Sequence, residues 1–185
     1  MKMRIPKNIW AYAALVLAVL AFATVFFDAA AFTGEDAKTV AKGAEISMKN
    51  EDEKVRRTVT GAFESGGVTL PEARSMVNAF QSVATEDTYV PGDLRTLANF
   101  VLIAQIVSVV AVVYLIFGLL AGFDSAGYGV CAASLLWLVL ALVLPGKLKS
   151  SEWSMAVTLW PFAGLVLGAA CAFIARMSAK TRDRA

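Results

Sequence analysis

Apolar residues gather in four blocks along this chain, with one polar stretch between the first block and the second. The longest block, residues 97–120, reads LANFVLIAQIVSVVAVVYLIFGLL and carries no formal charge. As a helix rising about 1.5 Å per residue it spans about 36 Å, more than the roughly 30 Å hydrocarbon core of a bilayer. A second run covers residues 9–27, with Trp10 and Tyr12 suited to one membrane interface. The third, residues 128–144, is short for a span and is stopped by Pro145-Gly146. The fourth, residues 155–175, is interrupted only by Pro161, which neighbouring side chains can accommodate. The pattern predicts an all-α membrane protein with four transmembrane helices and a small helical extracytoplasmic domain between the first and second.

That domain is residues 33–96, which hold 11 of the chain's 15 acids and 8 of its 17 bases. Three helix starts are legible as capping-box spacings: Thr33 to Asp36, Asn50 to Glu53, and Thr69 to Glu72 with Pro71 in the first turn. Each is followed by an apolar face at helical spacing. The first is Val40, Ala41, Ala44 and Met48; the second Val55, Val59, Ala62 and Phe63; the third Ala73, Met76, Val77, Phe80 and Ala84. Gly66-Gly67 separates the second helix from the third, and residues 89–93 turn the chain into the membrane. So few large aliphatic side chains make a thin core, and such a cap needs support from its own spans or a partner. The charged run from Asn50 to Arg57 reads as a solvated face with i,i+4 pairs such as Glu53–Arg57; a partner-docking surface is the sharper alternative.

Residues 1–8 carry three bases and no acid, which resembles the head of a signal peptide, and Ala29-Ala30-Ala31 offers an Ala-x-Ala cleavage site. The apolar run is longer than an ordinary signal core, which favours a retained first helix. Four spans place both termini on one side. Lys2, Arg4, Lys7, Arg176, Lys180, Arg182 and Arg184 flank that side, against Lys147 and Lys149 in the opposite short loop. The excess predicts cytoplasmic termini in a cytoplasmic (inner) membrane, with residues 1–8 and the basic tail 176–185 inside and the cap outside.

Composition then narrows the chemistry. The mean hydropathy is +0.63, with 58% hydrophobic and 17% charged residues, and the net charge of +2 is too small for a nucleic-acid binder. There is no histidine, so the commonest general base and metal ligand are missing. No nucleophile–base pair, metal-ligand spacing or phosphate-binding glycine loop occurs, so no enzyme activity, cofactor or metal is expected. No ionisable residue falls within a predicted span: Asp28, Asp124 and Arg176 mark the ends. A proton pump, charge-coupled transporter or voltage sensor ordinarily needs one inside.

What the spans do offer is packing. Gly164 and Gly168 form a GxxxG extended by Ala172, and Gly118 and Gly122 form another. Ala104, Ser108 and Ala111 continue a small face on the long helix; Ala14 and Ala18 make one on the first. Gln105 reads as an interhelical hydrogen bond, with a pore-facing amide as the alternative. Cys131 and Cys171 read as small thiols rather than a redox pair, since the side they occupy is reducing. The layout resembles that of tetraspan proteins such as claudins and tetraspanins in topology alone, because residues 33–96 contain neither cysteine nor tryptophan.

The function these features point to is a non-catalytic structural or accessory subunit of a larger membrane assembly, such as a secretion, conjugation or transport apparatus. Its expected partners are the lipid bilayer and other membrane subunits or further copies of itself. A holin-like oligomeric pore and a redox protein using the two cysteines are the alternatives.

Overall fold

The computed structural model of the chain describes residues 9–33, 39, 42–43, 45–46, 53–64, 66–83, 92–148 and 154–183. Helix α1 (Ile9–Ala23) ends in a 3-10 turn at Thr24–Phe26, followed by strand β1 (Ala30–Thr33). Then come α2 (Glu53–Glu64), β2 (Gly67–Val68), α3 (Leu70–Val83), α4 (Gly92–Ala121), α5 (Tyr128–Leu148), β3 (Ser154–Val157) and α6 (Trp160–Asp183). Four stretches are helical, long and apolar enough to cross a bilayer: Ile9–Phe26, Arg95–Ala121, Tyr128–Leu148 and Trp160–Thr181. The chain is mostly helical, with the four apolar helices of a multi-pass membrane protein.

Three spans differ in extent from the sequence reading. Pro145 does not stop α5, which runs on to Leu148. A proline in the last turn forfeits only one ladder bond, and the added residues bring the span to about 31 Å. The fourth span does not begin at Met155, because residues 154–157 are a strand. Helix α6 starts at Trp160, with Pro161 in its first turn, where a missing N–H costs nothing. It also carries the basic tail as helix through Asp183. Helix α4 begins at Gly92, so Gly92 and Asp93 belong to it rather than to a turn.

The chain divides into two compact units. In the first (residues 9–24, 103–138 and 161–183 of those described), four helices share one core of Ala11, Ala14, Ala18, Ala21, Ala111, Leu115, Leu119, Ala126, Val130, Ala133, Cys171 and Ala175. Helices α4 and α5 form an antiparallel hairpin. Gly122, at φ 84°, ends α4, and the N–H groups of Gly122 and Phe123 both donate to the Gly118 carbonyl at 2.8 Å. That is a left-handed C-cap, which only glycine adopts without strain.

The second unit (residues 25–102 and 139–160) contains a three-stranded antiparallel sheet in the order β2-β1-β3, an addition to the expected all-α design. β1 pairs with β3 from Ala30↔Val157 to Thr33↔Ser154, and with β2 at Ala30↔Val68 and Ala31↔Gly67. Helices α2 and α3 pack as a hairpin through Gly66, at φ 85°, and β2. The predicted faces are buried here: Val55, Val59, Ala62 and Phe63 on α2, and Ala73, Met76 and Val77 on α3. Phe63 meets Phe32 of β1 edge to face, with ring centroids 5.3 Å apart. The Thr69–Glu72 capping box is formed in both directions: Glu72 N–H donates to Thr69 Oγ1 at 3.1 Å, and Thr69 N–H to Glu72 Oε2 at 2.9 Å. Glu53 and Arg57 form their i,i+4 ion pair on the exposed side of α2. Thr39, Lys42, Gly43, Glu45 and Ile46 are helical, but Val40, Ala41, Ala44, Met48, Asn50 and Ala84 lie outside the described residues.

Thr69→Ala removes one half of the box, and the loss should be about 0.5–2 kcal/mol. Hydrogen exchange of the α3 amides should speed up while that of α5 is unchanged; equal rates in both proteins would contradict the cap's role.

Candidate functional site

Two constellations stand out, one in each unit. The first is a seam of small residues that joins the spans. Each sequence-predicted packing residue can be placed. Gly164 lies against Thr24 Oγ1 and the Ala21 carbonyl of the first span, so a Cβ there has no room. A Cβ on Gly168 would stand 2.6 Å from Ser134 Oγ and 3.3 Å from the Cys131 Cα on α5. Ala172 approaches the backbone of Gly127, whose own Cβ position would be 2.5 Å from the Ala172 Cα. The Gly164/Gly168/Ala172 stripe therefore meets two helices in turn, α1 at its first step and the α5 end of the bundle at the next two. Gly118 faces Ala126, whose Cβ would be 2.5 Å from a Cβ added at Gly118. Gly122 is the C-cap of α4. Gln105 is half-buried on α4.

These contacts give the helices their antiparallel pairing. Cys171 Sγ donates to the Ala14 carbonyl at 3.3 Å, so α1 and α6 run in opposite directions and the α1 start lies at the α6 end. Cys131 and Cys171 are both free thiols. Thr24 Oγ1 donates to Ala21 O at 2.6 Å and Ser134 Oγ to Val130 O at 2.9 Å, so the hydroxyls pressed against the glycines are satisfied within their own helices. Between α4 and α5, buried Trp137 donates its indole N–H to Ser108 Oγ at 2.8 Å, and Ser108 donates to Ala104 O at 2.8 Å. Sequence reasoning missed Trp137 because a tryptophan in an apolar run looks like lipid-facing bulk; its partner, 29 residues away on α4, is not legible from spacing.

The second constellation lies in the second unit, on the segments that follow α1 and lead into α6 in the chain. Thr158 is its hinge pin. Its hydroxyl donates to the Asp28 carbonyl, its N–H donates to Ala29 O at 3.1 Å, and its Oγ1 accepts from Trp160 N–H at 3.4 Å. Phe27 and Trp160 stack with centroids 4.3 Å apart. Ala29 N–H donates to Val68 O at 2.9 Å, tying β2 to the same rung. The Asp28 carboxyl lies over Gly67, where a Cβ would be 2.5 Å from its Cγ. Burial, and secondarily the negative charge of Glu72, hold the Asp28 carboxyl above the ordinary carboxylate range. Among the described residues, no three His, Cys, Asp or Glu side chains are grouped to hold a metal. Comparison with protein-family models, curated proteins and solved structures finds no match.

Two outcomes follow. Gly168→Val should separate α5 from α6 and cost about 1–3 kcal/mol. Gly146→Ala, where the added Cβ meets nothing within 4 Å, should be neutral or stabilising. Thermal melting in detergent separates the two, and equal loss in both would refute the seam. A carboxyl whose pKa is raised on folding weakens the fold once it ionises, so its penalty is full above the raised pKa and disappears below the ordinary one. Asp28→Asn should therefore melt higher than the natural chain at neutral pH, with the gap closing in acid; a gap independent of pH would contradict this.

Proposed function

We propose that this chain is a non-catalytic membrane protein, a structural or accessory subunit of a larger assembly in a bacterial-type cytoplasmic membrane. The observation that carries the reading is the chemistry of its spans. Their charged residues are confined to the ends, as with Arg95, Lys147, Arg176 and Lys180. Ion coupling and proton relay within a bilayer ordinarily use embedded ionisable groups, and substrate pathways use polar faces. The polar groups of buried Thr24, Ser134 and Trp137 and half-buried Ser108 instead bond to backbone or to each other across helix contacts.

The small-residue faces are turned to partners within the chain, which reduces their value as docking surfaces for another subunit. The exposed side of α2, with Glu53, Arg57 and Glu64, is the remaining specific surface, and it belongs to the cap. In this reading the cap is extracytoplasmic and both termini are cytoplasmic. The support is the excess of Lys and Arg flanking the termini. The buried alanine face of α1 and the pairing of Ala30 on both strand edges support a retained first helix.

Crosslinking in native membranes, followed by purification of a tagged copy, should recover a stoichiometric membrane partner or a defined oligomer. A monomer without neighbours would contradict the proposal. Orientation is tested by cysteine labelling with a membrane-impermeant maleimide. Glu64→Cys should react on intact cells and Lys180→Cys should not, and the reverse pattern would invert the topology. Both positions are exposed.

A further inference from the structure

The sheet ends on a boundary between polar and apolar chemistry, repeated on two chain segments at adjacent rungs. In the β1–β3 register, Ala30 faces Val157. The next rung toward the spans is held by the Thr158 N–H bond to Ala29 O at 3.1 Å. Two rungs further on, the same register sets Phe27 against Trp160, and their rings stack at 4.3 Å. On one segment the order is Asp28, then Phe27 and Phe26; on the other it is Thr158, then Leu159 and Trp160. One segment therefore turns from polar to apolar between Thr158 and Leu159 and the other one rung later, between Asp28 and Phe27, and the Thr158 hydroxyl bond to the Asp28 carbonyl fastens that step.

The apolar residues at this step are not packed away. Leu159 is 83% exposed and Phe26 75%, while Phe27 and Trp160 remain 47% and 45% exposed although stacked on each other. Exposing this much aliphatic and aromatic surface beside a hydrogen-bonded sheet is unfavourable in water. Along each segment the exposed apolar positions continue into a span, with Val16, Val19 and Leu20 on α1 and Phe162 and Val166 on α6. A tryptophan whose ring is half exposed and whose neighbours change from Thr to Leu matches the boundary between acyl chains and headgroups.

We propose that Phe26, Phe27, Leu159 and Trp160 form a lipid-binding rim that occupies the acyl–headgroup boundary of the bilayer. It sets the depth at which the first and fourth spans end, and the sheet begins immediately above it. The occupant is lipid, because the rim residues adjoin in the chain two helices apolar and long enough to cross a bilayer, and on the other side adjoin Asp28 and Thr158. This rests on the multi-pass membrane reading. The rim's rigidity comes from the ladder, since the two segments are fastened at Thr158 and Asp28 rather than free to splay.

The test uses the full chain in phosphatidylcholine vesicles whose acyl chains carry bromine either near the headgroup or near the chain end. Emission of the natural chain minus that of Trp160→Phe isolates Trp160, and phenylalanine keeps a ring against Phe27. The expected result is that this emission loses more intensity to shallow bromine than to deep bromine, and little to aqueous acrylamide. Strong acrylamide quenching would place the rim in water and overturn the proposal. Stronger quenching by deep bromine would place it within the hydrocarbon and also overturn it. Quenching by none of the three would mean that a protein surface covers it, again overturning it. Val109→Trp in the Trp160→Phe background probes an outward position in the middle of α4. Quenching there by deep bromine upholds the membrane reading separately; its absence would sink that reading and not merely the rim.

Discussion

The pairing of β1 with β3 is the constraint on which much of this architecture depends. Each strand is the immediate continuation of a span, β1 after α1 and β3 before α6. Four ladder pairs, the Thr158 bonds and the Phe27–Trp160 stack therefore hold together the segment that follows the first apolar helix and the one that leads into the last. The same two segments meet as helices too, where Cys171 reaches the Ala14 carbonyl and Gly164 meets Ala21 and Thr24. Residues far apart in the chain are thus joined by backbone hydrogen bonds in one unit and by close backbone approach in the other. β1 is the centre strand, so the β2 edge of the cap hairpin is tied to it as well.

Helices in lipid gain nothing by hiding apolar surface from one another, since the tails are as apolar as leucine. Close approach supplies the attraction instead, and that explains a core built so heavily from alanine, with glycine at its contacts. It also bears on which helix is central. The 97–120 run dominates the sequence, yet α4 has the smallest buried share of the four spans and α5 the largest. Length and hydrophobicity mark a segment as membrane-spanning; they say nothing of how much protein surrounds it. Helix α6, which meets both α1 and α5, is the better candidate for the bundle's organiser.

What was legible in the sequence follows from this physics. The spans were readable because a run of uncharged residues has a length that can be compared with a bilayer. The cap helices α2 and α3 were readable because amphipathic spacing and the Thr69–Glu72 box act locally. The sheet was not: Ala30–Thr33 and Ser154–Val157 are four residues each, do not alternate in polarity, and pair across more than a hundred residues. Pro145 and Pro161 were weighed as interruptions, whereas one falls in a last turn and the other in a first turn, where the helix tolerates them. Gly122 matched a packing motif by spacing, and its role as a cap was not legible, because φ is invisible to a pattern. Trp137 needed Ser108 to be understood, and that partnership is tertiary.

The central claim, that β1 and β3, the chain continuations of the first and last spans, pair with one another, has a direct measurement. Thr33 Oγ1 and Ser154 Oγ are 2.7 Å apart on exposed positions at the open end of the ladder. With Thr33→Cys and Ser154→Cys together, mild oxidation in native membranes should join the two within a single chain, seen as a reducible mobility shift without dimer. Failure to crosslink, or crosslinking only between chains, would contradict the pairing.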